Sequence, residues 1–250
     1  MQTYLVFRLY GVLASWGVEA VGESRPTSLH PTRSAILGLL GAALGIRRDD
    51  EMRLAELQQS VNIAIKQIVA GSLMRDYHTS QVPSQNNKQQ HFTRKSELGE
   101  SELNTILSSR DYRSDGLWII AISLTDQAHL TLTTLRDALL KPVFTLSLGR
   151  KSCPLCVPTM PQITQSPCLK AALDTEFPPL TQSEKADHYW LGDSGIVSYF
   201  WEGDKNEIEI PDVAVLTSQL WDEPLSRTRW QFTQRTMHQL SLMEKAHVPV

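Results

Sequence analysis

The sequence predicts an α+β fold in which helices pack on one face of a β-sheet. Large side chains alternate over Thr3–Leu9, which is the pattern of a strand. A continuous apolar run over Leu117–Leu124 is typical of a buried central strand. Apolar residues recur at helical spacing over 36–44 and 130–140. Strands and helices therefore alternate along roughly the first 145 residues, an order that places helices against a sheet.

The first two helices are delimited by residues that favour helix ends. Thr32 precedes the first helical run, and Gly45 follows it where a helix C-terminus favours glycine. Within this helix Gly38 and Gly41 belong to a ridge of small residues, which predicts close approach to the sheet. A second helix is predicted over Asp49–Gln59, because acidic residues at its start suit the helix dipole.

A long polar insertion interrupts the pattern after a predicted strand at 61–68. Between Thr79 and Ser109 apolar periodicity disappears, and about 30 polar residues between two buried strands exceed an ordinary connection. We interpret this excursion as functional. Prolines then cluster over Cys156–Thr181, which predicts an irregular connector. Four short strands are predicted beyond it: Tyr189–Leu191, Ile196–Trp201, Asn206–Ile210 and Arg229–Arg235.

The composition is that of a folded protein whose charge is unevenly divided. Hydrophobic residues make up 41% of the chain and charged residues 20%, enough for a core. Residues 1–151 carry 17 Lys and Arg against 14 Asp and Glu, whereas residues 152–250 carry 7 against 13. Because the pI is only 6.2, any polyanion-binding surface is predicted to be a local groove in the first part.

The sequence predicts a cytoplasmic protein with free thiols, no membrane span and no cofactor. Met1–Leu9 has no basic segment of the kind that begins a secretory signal, and three cysteines are an odd number. Cys153 and Cys156 have metal-ligand spacing, and Cys168 and His188 could complete a zinc site. A lone CxxC without a second pair is more often incidental, so no metal is predicted.

A glycine beside two cations forms the first candidate binding site. Gly149 is followed by Arg150, Lys151 and Ser152 after an extended stretch. Peptide N–H groups at a glycine turn and adjacent cations suit phosphate oxygens. A plain tight turn explains the glycine equally well. Neither a Walker loop nor a dinucleotide fingerprint is present, so nucleotide hydrolysis loses its main support.

The second candidate site is the run from Arg75 to His78. With Asp76, His78 forms the most nuclease-like cluster, because attack by an RNA 2′-OH needs acid and base groups but no metal. The same run could bind RNA instead, with Tyr77 stacking on a base and Arg75 pairing with phosphate. Further candidates for RNA contact are one aromatic residue and several cations: Trp16, Arg25, Lys88, Arg94 and Lys95.

These motifs resemble the Cas5 family of the type I-E CRISPR Cascade complex, within the repeat-associated RNA-binding (RAMP) superfamily. The resemblance covers residues 1–156, and few motifs agree beyond Val157. The matching segments are Ser15-Trp16-Gly17, Arg25-Pro26-Thr27, Pro31–Ser34, Leu37–Ala42, Leu44–Ile46, Arg47–Asp50, Arg75–Thr79, Lys141-Pro142 and Leu148–Leu155.

The resemblance implies a ferredoxin-like (RRM-like) domain over residues 1–156, which fits the order of elements. A thumb would project at about 79–109, and a smaller, mainly β region over 157–250 would pack on the domain. The chain would bind the 5′ handle of CRISPR RNA. The residues implied to contact the handle are Gly149, Arg150, Lys151 and Ser152, together with Arg25, Arg33 and Tyr77.

The implied partners are the backbone and large subunits of Cascade and, within the complex, target DNA. Relatives that this chain resembles leave RNA cutting to a separate subunit, so no catalysis is implied. Two other functions stay open from the residues alone: a metal-independent endoribonuclease that processes precursor RNA, and a protein-only structural adaptor.

Overall fold

A computed structural model of the chain describes residues 1–18, 20, 22–84, 90–192, 195–210, 214–226, 229 and 231–243. The strands are β1 (Gln2–Ala14), β2 (Ser24–Arg25), β3 (Val61–Val69), β4 (Ser72–Pro83), β5 (Leu103–Leu124), β6 (Gln162–Ser166), β7 (Ile196–Trp201), β8 (Leu216–Ser226) and β9 (Gln231–Met243). The helices are α1 (Arg33–Ala43), α2 (Glu51–Ser60), α3 (Arg94–Glu97), α4 (Leu132–Leu140), α5 (Leu169–Leu173) and α6 (Glu184–Leu191), with a 3-10 helix at Lys205–Ile208.

One large sheet organises the chain, in the strand order β6-β1-β5-β3-β7-β9-β8. All neighbours in this path are antiparallel, and β5 lies between β1 and β3. The short strand β2 adds to β5 in parallel. Strands from both sides of residue 156 share this sheet, because β6 pairs with β1 and β7 pairs with β3. The mixed α/β architecture with few helices agrees with the predicted α+β class.

The two faces of the sheet bury separate apolar clusters, as the alternation along β1 requires. Leu5, Phe7 and Leu9 point to the face covered by α1, α2 and α4. Tyr4 and Val6 point to the opposite face, which α5 covers. Among the residues that the structure describes, no helix is long and apolar enough to cross a membrane.

The predicted polar excursion begins and ends in the two strands of a β-hairpin. Strand β4 pairs with the first half of β5 from Ser72–Ser114 to Pro83–Leu103. Beyond that pair lie the short helix α3 and residues 85–89, which are outside the described part of the chain. Side chains such as Leu73, Tyr77 and Ile106 are exposed along the hairpin. Within β4 and residues 103–110 of β5 no side chain is buried like those of the sheet centre, so the sequence shows no regular apolar alternation there.

In the small-residue ridge of α1, Gly41 faces another helix instead of the sheet. A methyl group at Gly41 would lie 3.8 Å from Leu54 and 3.9 Å from Leu57, both in α2. A methyl group at Gly38 would contact no other atom within 4 Å. The predicted approach to the sheet is therefore wrong, and Gly41 instead leaves room for α2.

The C-terminal elements differ from their predictions in several places. Residues 189–191 belong to α6, and the predicted strand at 206–210 overlaps the 3-10 helix, where Glu209 has a φ of +50°. The proline-rich connector contains β6 and α5, and β8 was not predicted. Strand β7 is confirmed, and β9 extends well beyond its predicted end.

A buried ion-pair network fastens β8 and β9 to the first helix. The Arg33 guanidinium contacts the Glu202 carboxylate, and its Nε lies 2.6 Å from Oε2 of Glu223. Arg235 lies 3.0 Å from Glu202 and donates two hydrogen bonds of 2.6 and 2.7 Å to Asp222. Burial raises the pKa of Glu202 despite both guanidinium groups. The network therefore fixes where the C-terminal hairpin meets α1.

Candidate nucleic-acid interface

The Gly149 loop is a tight turn held against the segment that follows β1. The Leu148 N–H donates to the Cys153 carbonyl at 2.7 Å, and the Ser15 N–H donates to the Leu148 carbonyl at 2.9 Å. Gly149 has a φ of +86°, and a Cβ there would lie 1.9 Å from the Ser15 carbonyl oxygen. Glycine is therefore required by both conformation and close backbone approach. Lys151 and Ser152 are exposed on the outer side of the turn.

Arg150 is held in place without losing its charge to a carboxylate. Its guanidinium donates to the Asp111 carbonyl at 3.3 Å and to the Arg25 carbonyl at 3.0 Å. It also lies 4.8 Å from the centroid of the Tyr112 ring, a cation–π contact. Within the described ranges no carboxylate forms an ion pair with Arg150. The positive charge is therefore fixed in orientation and still available to an anion.

Two adjoining cavities form a groove between this loop and α1. The larger has a volume of about 800 Å³ and the smaller about 330 Å³. The residues that line both are Ser34, Ala35, Arg48 and Gly149. Arg47 and Lys151 line the larger cavity, and Arg150 lines the smaller. Neither lining, as far as the structure describes the chain, contains Asp or Glu, so the groove is suited to an anionic ligand.

The sequence prediction missed Arg47 and Arg48 as binding residues. Both closely follow Gly45, which ends α1 with a φ of +70°. They lie in the connection between α1 and α2, which brings them to the groove. The adjacent pair of arginines after a helix-ending glycine was the available signal, but the sequence did not show that this turn lies beside the Gly149 loop.

Arg75 forms an ion pair with the carboxylate of Asp111. Its Nε and Nη2 donate to the two oxygens of Asp111 at 2.8 and 3.1 Å, which is the bidentate geometry of a strong pair. The hydrogen bond from Arg75 lowers the pKa of Asp111, and the charges of Arg150 and Arg113 act in the same direction. Since Asp111 is buried, Arg75 anchors β4 to β5 beside the Arg150 site.

The remaining residues of this run lie further along the hairpin. Tyr77 is 64% exposed, and it lies two residues along β4 from Arg75 on the same face. His78 faces the other side, with its Nδ1 3.9 Å from the Asp76 carboxylate. Arg25 is exposed, and its guanidinium donates to the carbonyls of Gly22 and Ser24.

At the hairpin tip, Arg94 and Lys95 have different surroundings. Arg94 donates to Glu97 at 2.6 Å and also to the Gln81 carbonyl, so it ties α3 to β4. Lys95 is exposed, and Phe92 is 86% exposed. Lys88 lies outside the described residues. The tip thus presents an aromatic ring and a cation to solvent.

Two predicted RNA contacts need correction, because their side chains are buried. Trp16 is 1% exposed, and its ring packs edge-on against Trp118 with centroids 5.0 Å apart. Arg33 is 8% exposed, and its charge is balanced by Glu202 and Glu223. Both side chains therefore stabilise the core instead of facing a ligand.

The cysteines have separate surroundings. Burial raises the pKa of the Cys153 thiol, and Cys156 is exposed, with its sulfur accepting a hydrogen bond from the Val12 N–H at 3.3 Å. No group of three or more His, Cys, Asp or Glu side chains in the described ranges is arranged to hold a metal ion.

The fold and groove define an α/β protein in which a glycine turn and several cations line a groove beside a large antiparallel sheet. The family model described as CRISPR-associated protein (Cas_Cas5) matches residues 4–238, so the chain belongs to this family. The resemblance inferred from the sequence motifs is thereby confirmed.

Comparisons with individual proteins agree with this assignment. The chain is 38% identical over 166 residues to the CRISPR system Cascade subunit CasD of Escherichia coli (strain K12), covering 63% of this chain and 70% of that protein. A chain from a CRISPR RNA-guided surveillance complex has a TM-score of 0.60 at 21% identity, covering 95% of this chain and 89% of that one. A second solved Cas protein has a TM-score of 0.57 at 22% identity, covering 96% and 95%. At these identities the two solved structures support the overall fold of this chain.

Proposed function

We propose that this protein is a non-catalytic subunit of a type I-E CRISPR Cascade complex and binds the 5′ handle of CRISPR RNA. The observation that carries the proposal is the groove between the Gly149 loop and α1. It is lined by Arg47, Arg48, Arg150 and Lys151, and no acidic side chain lines the part described by the structure. The name of the E. coli relative supports membership in the complex.

The geometry of the loop suits RNA phosphates. Arg150 is oriented by two carbonyls and by the Tyr112 ring, so it loses little rotamer entropy when it binds an anion. Lys151 is an exposed, flexible cation next to it. A single strand can bend to place successive phosphates along such a groove, and its affinity should depend strongly on salt.

The topology supports a ferredoxin-like arrangement. The elements β1, α1, β3, β5, α4 and β6 follow one another as strand, helix, strand, strand, helix, strand. Their strands lie side by side in the order β6-β1-β5-β3, all antiparallel. We assign the outer part of the β4–β5 hairpin as the thumb, because its exposed strands and tip leave it open to a partner.

In this proposal the thumb contacts RNA and the neighbouring backbone subunit. The large subunit and, in the assembled complex, target DNA are the other partners, and the complex works in the cytoplasm. Residues 1–156 supply the loop and most of the groove, and the C-terminal region packs on them through the shared sheet.

The test measures binding of labelled 5′-handle RNA to the purified chain as a function of salt. Lys151→Ala and the double variant with Arg150→Ala should weaken binding. For every phosphate that a variant no longer neutralises, the slope of log affinity against log salt should fall by roughly 0.7 for a single strand. Lys185→Ala, an exposed lysine on α6, is the matched control and should leave the slope unchanged.

Three results would contradict the proposal. If the Arg150 and Lys151 variants bind with the wild-type slope, the groove is not the RNA site. If the wild-type chain cleaves labelled repeat RNA in the presence of a chelator, the endoribonuclease alternative is correct. Normal recovery of the Arg150 and Lys151 variants in the purified complex, without an RNA-binding defect, would favour a protein-only adaptor.

A further inference from the structure

The smaller cavity of the groove has an apolar wall that comes from the C-terminal hairpin. Phe232 on β9 and Pro224 on β8 line it, and these two residues face each other directly across the hairpin. Gly149, Arg150 and Arg48 also line the cavity. One small space is thus enclosed by residues from three distant parts of the sequence.

The position of this wall is fixed by polar contacts around it. Arg235, three residues beyond Phe232 on β9, pairs with Asp222 through two hydrogen bonds of 2.6 and 2.7 Å. The Gln58 side chain on α2 donates to the Pro224 carbonyl at 3.0 Å. The buried network around Arg33 fastens the same hairpin to α1. The hairpin that carries Phe232 is therefore held beside the groove before any ligand arrives.

The lining indicates what the cavity would hold. Its volume of about 330 Å³ is at the small end of ligand pockets. A half-buried aromatic ring on one wall offers a flat apolar surface, and Arg150 elsewhere in the lining offers positive charge. A nucleotide joins a flat base to an anionic phosphate and matches both features. An aliphatic side chain from a protein partner would leave the Arg150 guanidinium without an anion.

We propose that one unpaired nucleotide of the bound RNA enters this cavity, with its base stacked on Phe232 and its phosphate towards Arg150. This inference rests on the proposed RNA-binding function and extends it to the C-terminal third of the chain, where no sequence motif had indicated a ligand contact. Phe232 contributes stacking, whereas Arg150 contributes charge. The two contributions respond differently to salt, which makes them separable.

The test compares substitutions of Phe232 in the full chain, with labelled 5′-handle RNA as the probe. Phe232→Ala and Phe232→Leu should lower the affinity by about 5- to 150-fold, because aromatic stacking on a base contributes on that scale. The slope of affinity against salt should stay at the wild-type value, since these variants keep every cation that neutralises a phosphate. Phe232→Tyr should bind almost as well as wild type.

Two further variants make the result specific. Phe232→Trp adds an indole in the cavity, and the fluorescence that it adds should be quenched when RNA binds. This measurement tests the inference even if Phe232→Ala fails to fold. Tyr189→Ala removes an exposed aromatic residue on α6 and should leave the affinity unchanged. An excess of uridine monophosphate should compete weakly with RNA, and competition at equal concentration would identify a free nucleotide as the ligand instead.

The possible failures are distinguishable. If the wild-type chain and its complex bind no RNA, the proposed function fails. If wild-type binds RNA but Phe232→Leu binds equally well, or Phe232→Trp shows no quenching, the stacking inference is overturned while the proposed function stands. A change in salt slope for Phe232→Leu would also contradict it.

Discussion

Replacing Gly149 with alanine should destabilise the whole protein as well as the loop. The new Cβ would be placed 1.9 Å from the Ser15 carbonyl oxygen, at a φ of +86°. That carbonyl already accepts a hydrogen bond from Gly17 at 3.0 Å, and the Ser15 N–H bonds to Leu148. The clash therefore falls on backbone held from both sides, which cannot move aside as a flexible side chain would.

The size of the effect follows from two costs. A left-handed conformation costs a non-glycine residue about 1–3 kcal/mol. Displacing packed neighbours to admit an extra carbon typically costs about another 1–3 kcal/mol. We expect Gly149→Ala to lower the free energy of unfolding by about 2–6 kcal/mol, which corresponds to roughly 4–24 °C in Tm for a chain of this size.

The matched control is Gly38→Ala, which should have the opposite sign. Gly38 lies within α1, and a methyl group there meets no other atom within 4 Å. Alanine in a helix is favoured over glycine by about 0.5–1 kcal/mol, so the Tm should rise slightly. Thermal melts followed by circular dichroism measure both variants. A Gly149→Ala protein that melts with or above the wild type would refute the reasoning about this loop.

Three other outcomes are expected. Arg33→Ala should lower the stability, measured by calorimetry, by about 3–5 kcal/mol because it removes the buried guanidinium that the carboxylates of Glu202 and Glu223 share. RNA titration of the same variant should show no change in salt slope. Replacing the residues between Pro83 and Leu103 with a short Gly/Ser turn should preserve the Tm, because loop entropy varies only with the logarithm of loop length. The same variant should co-purify with less RNA and fewer neighbouring subunits, and normal assembly would reject the thumb assignment. Arg75 depresses the pKa of Asp111, so their pair stabilises the fold above about pH 4, and that contribution is lost as the pH falls through the lower folded-state pKa. The loss of stability caused by Asp111→Asn should therefore shrink in acid. A loss of stability that does not depend on pH would contradict the pairing.

The predictable elements were those whose burial leaves a periodic signal. Strand β1 alternates because its two faces enter two different apolar clusters, and the end of β5 is continuously apolar because both of its faces are covered. Helix α1 carries an apolar side and a terminal glycine. In each case local sequence and tertiary environment indicate the same structure, so the prediction was confirmed.

The missed elements lack that agreement. Strand β4 exposes Leu73 and Tyr77, so no periodicity distinguished it from a polar loop. Strand β8 lies at the end of the sheet and has register shifts around Glu223 and Pro224, and an acidic run containing a proline does not resemble a strand. The aromatic content of α6 suggested a strand, although Tyr189 is exposed on a helix.

For the candidate site, the sequence indicated the loop but not its surroundings. The chemistry of Gly149 and its cations is local, so it could be inferred from a few residues. The resemblance implied that Arg33 contacts RNA, and the sequence could not show that Glu202, 169 residues away, contacts its charge. Phe232 escaped notice for the same reason: its place in the groove is created only when β9 joins the sheet.

The interleaved sheet also determines when the protein can fold during synthesis. Strand β1 emerges first but pairs with β6, and β3 pairs with β7, so both wait for distant parts of the chain. Pairings of such long range are slow to form. Until they form, the outer edge of β3 and the apolar side chains around Val6 and Ala64 stay open to other chains. A nascent chain halted after α4 would thus carry two unpaired strand edges, and assistance from chaperones would matter most in the interval before β6 and β7 leave the ribosome.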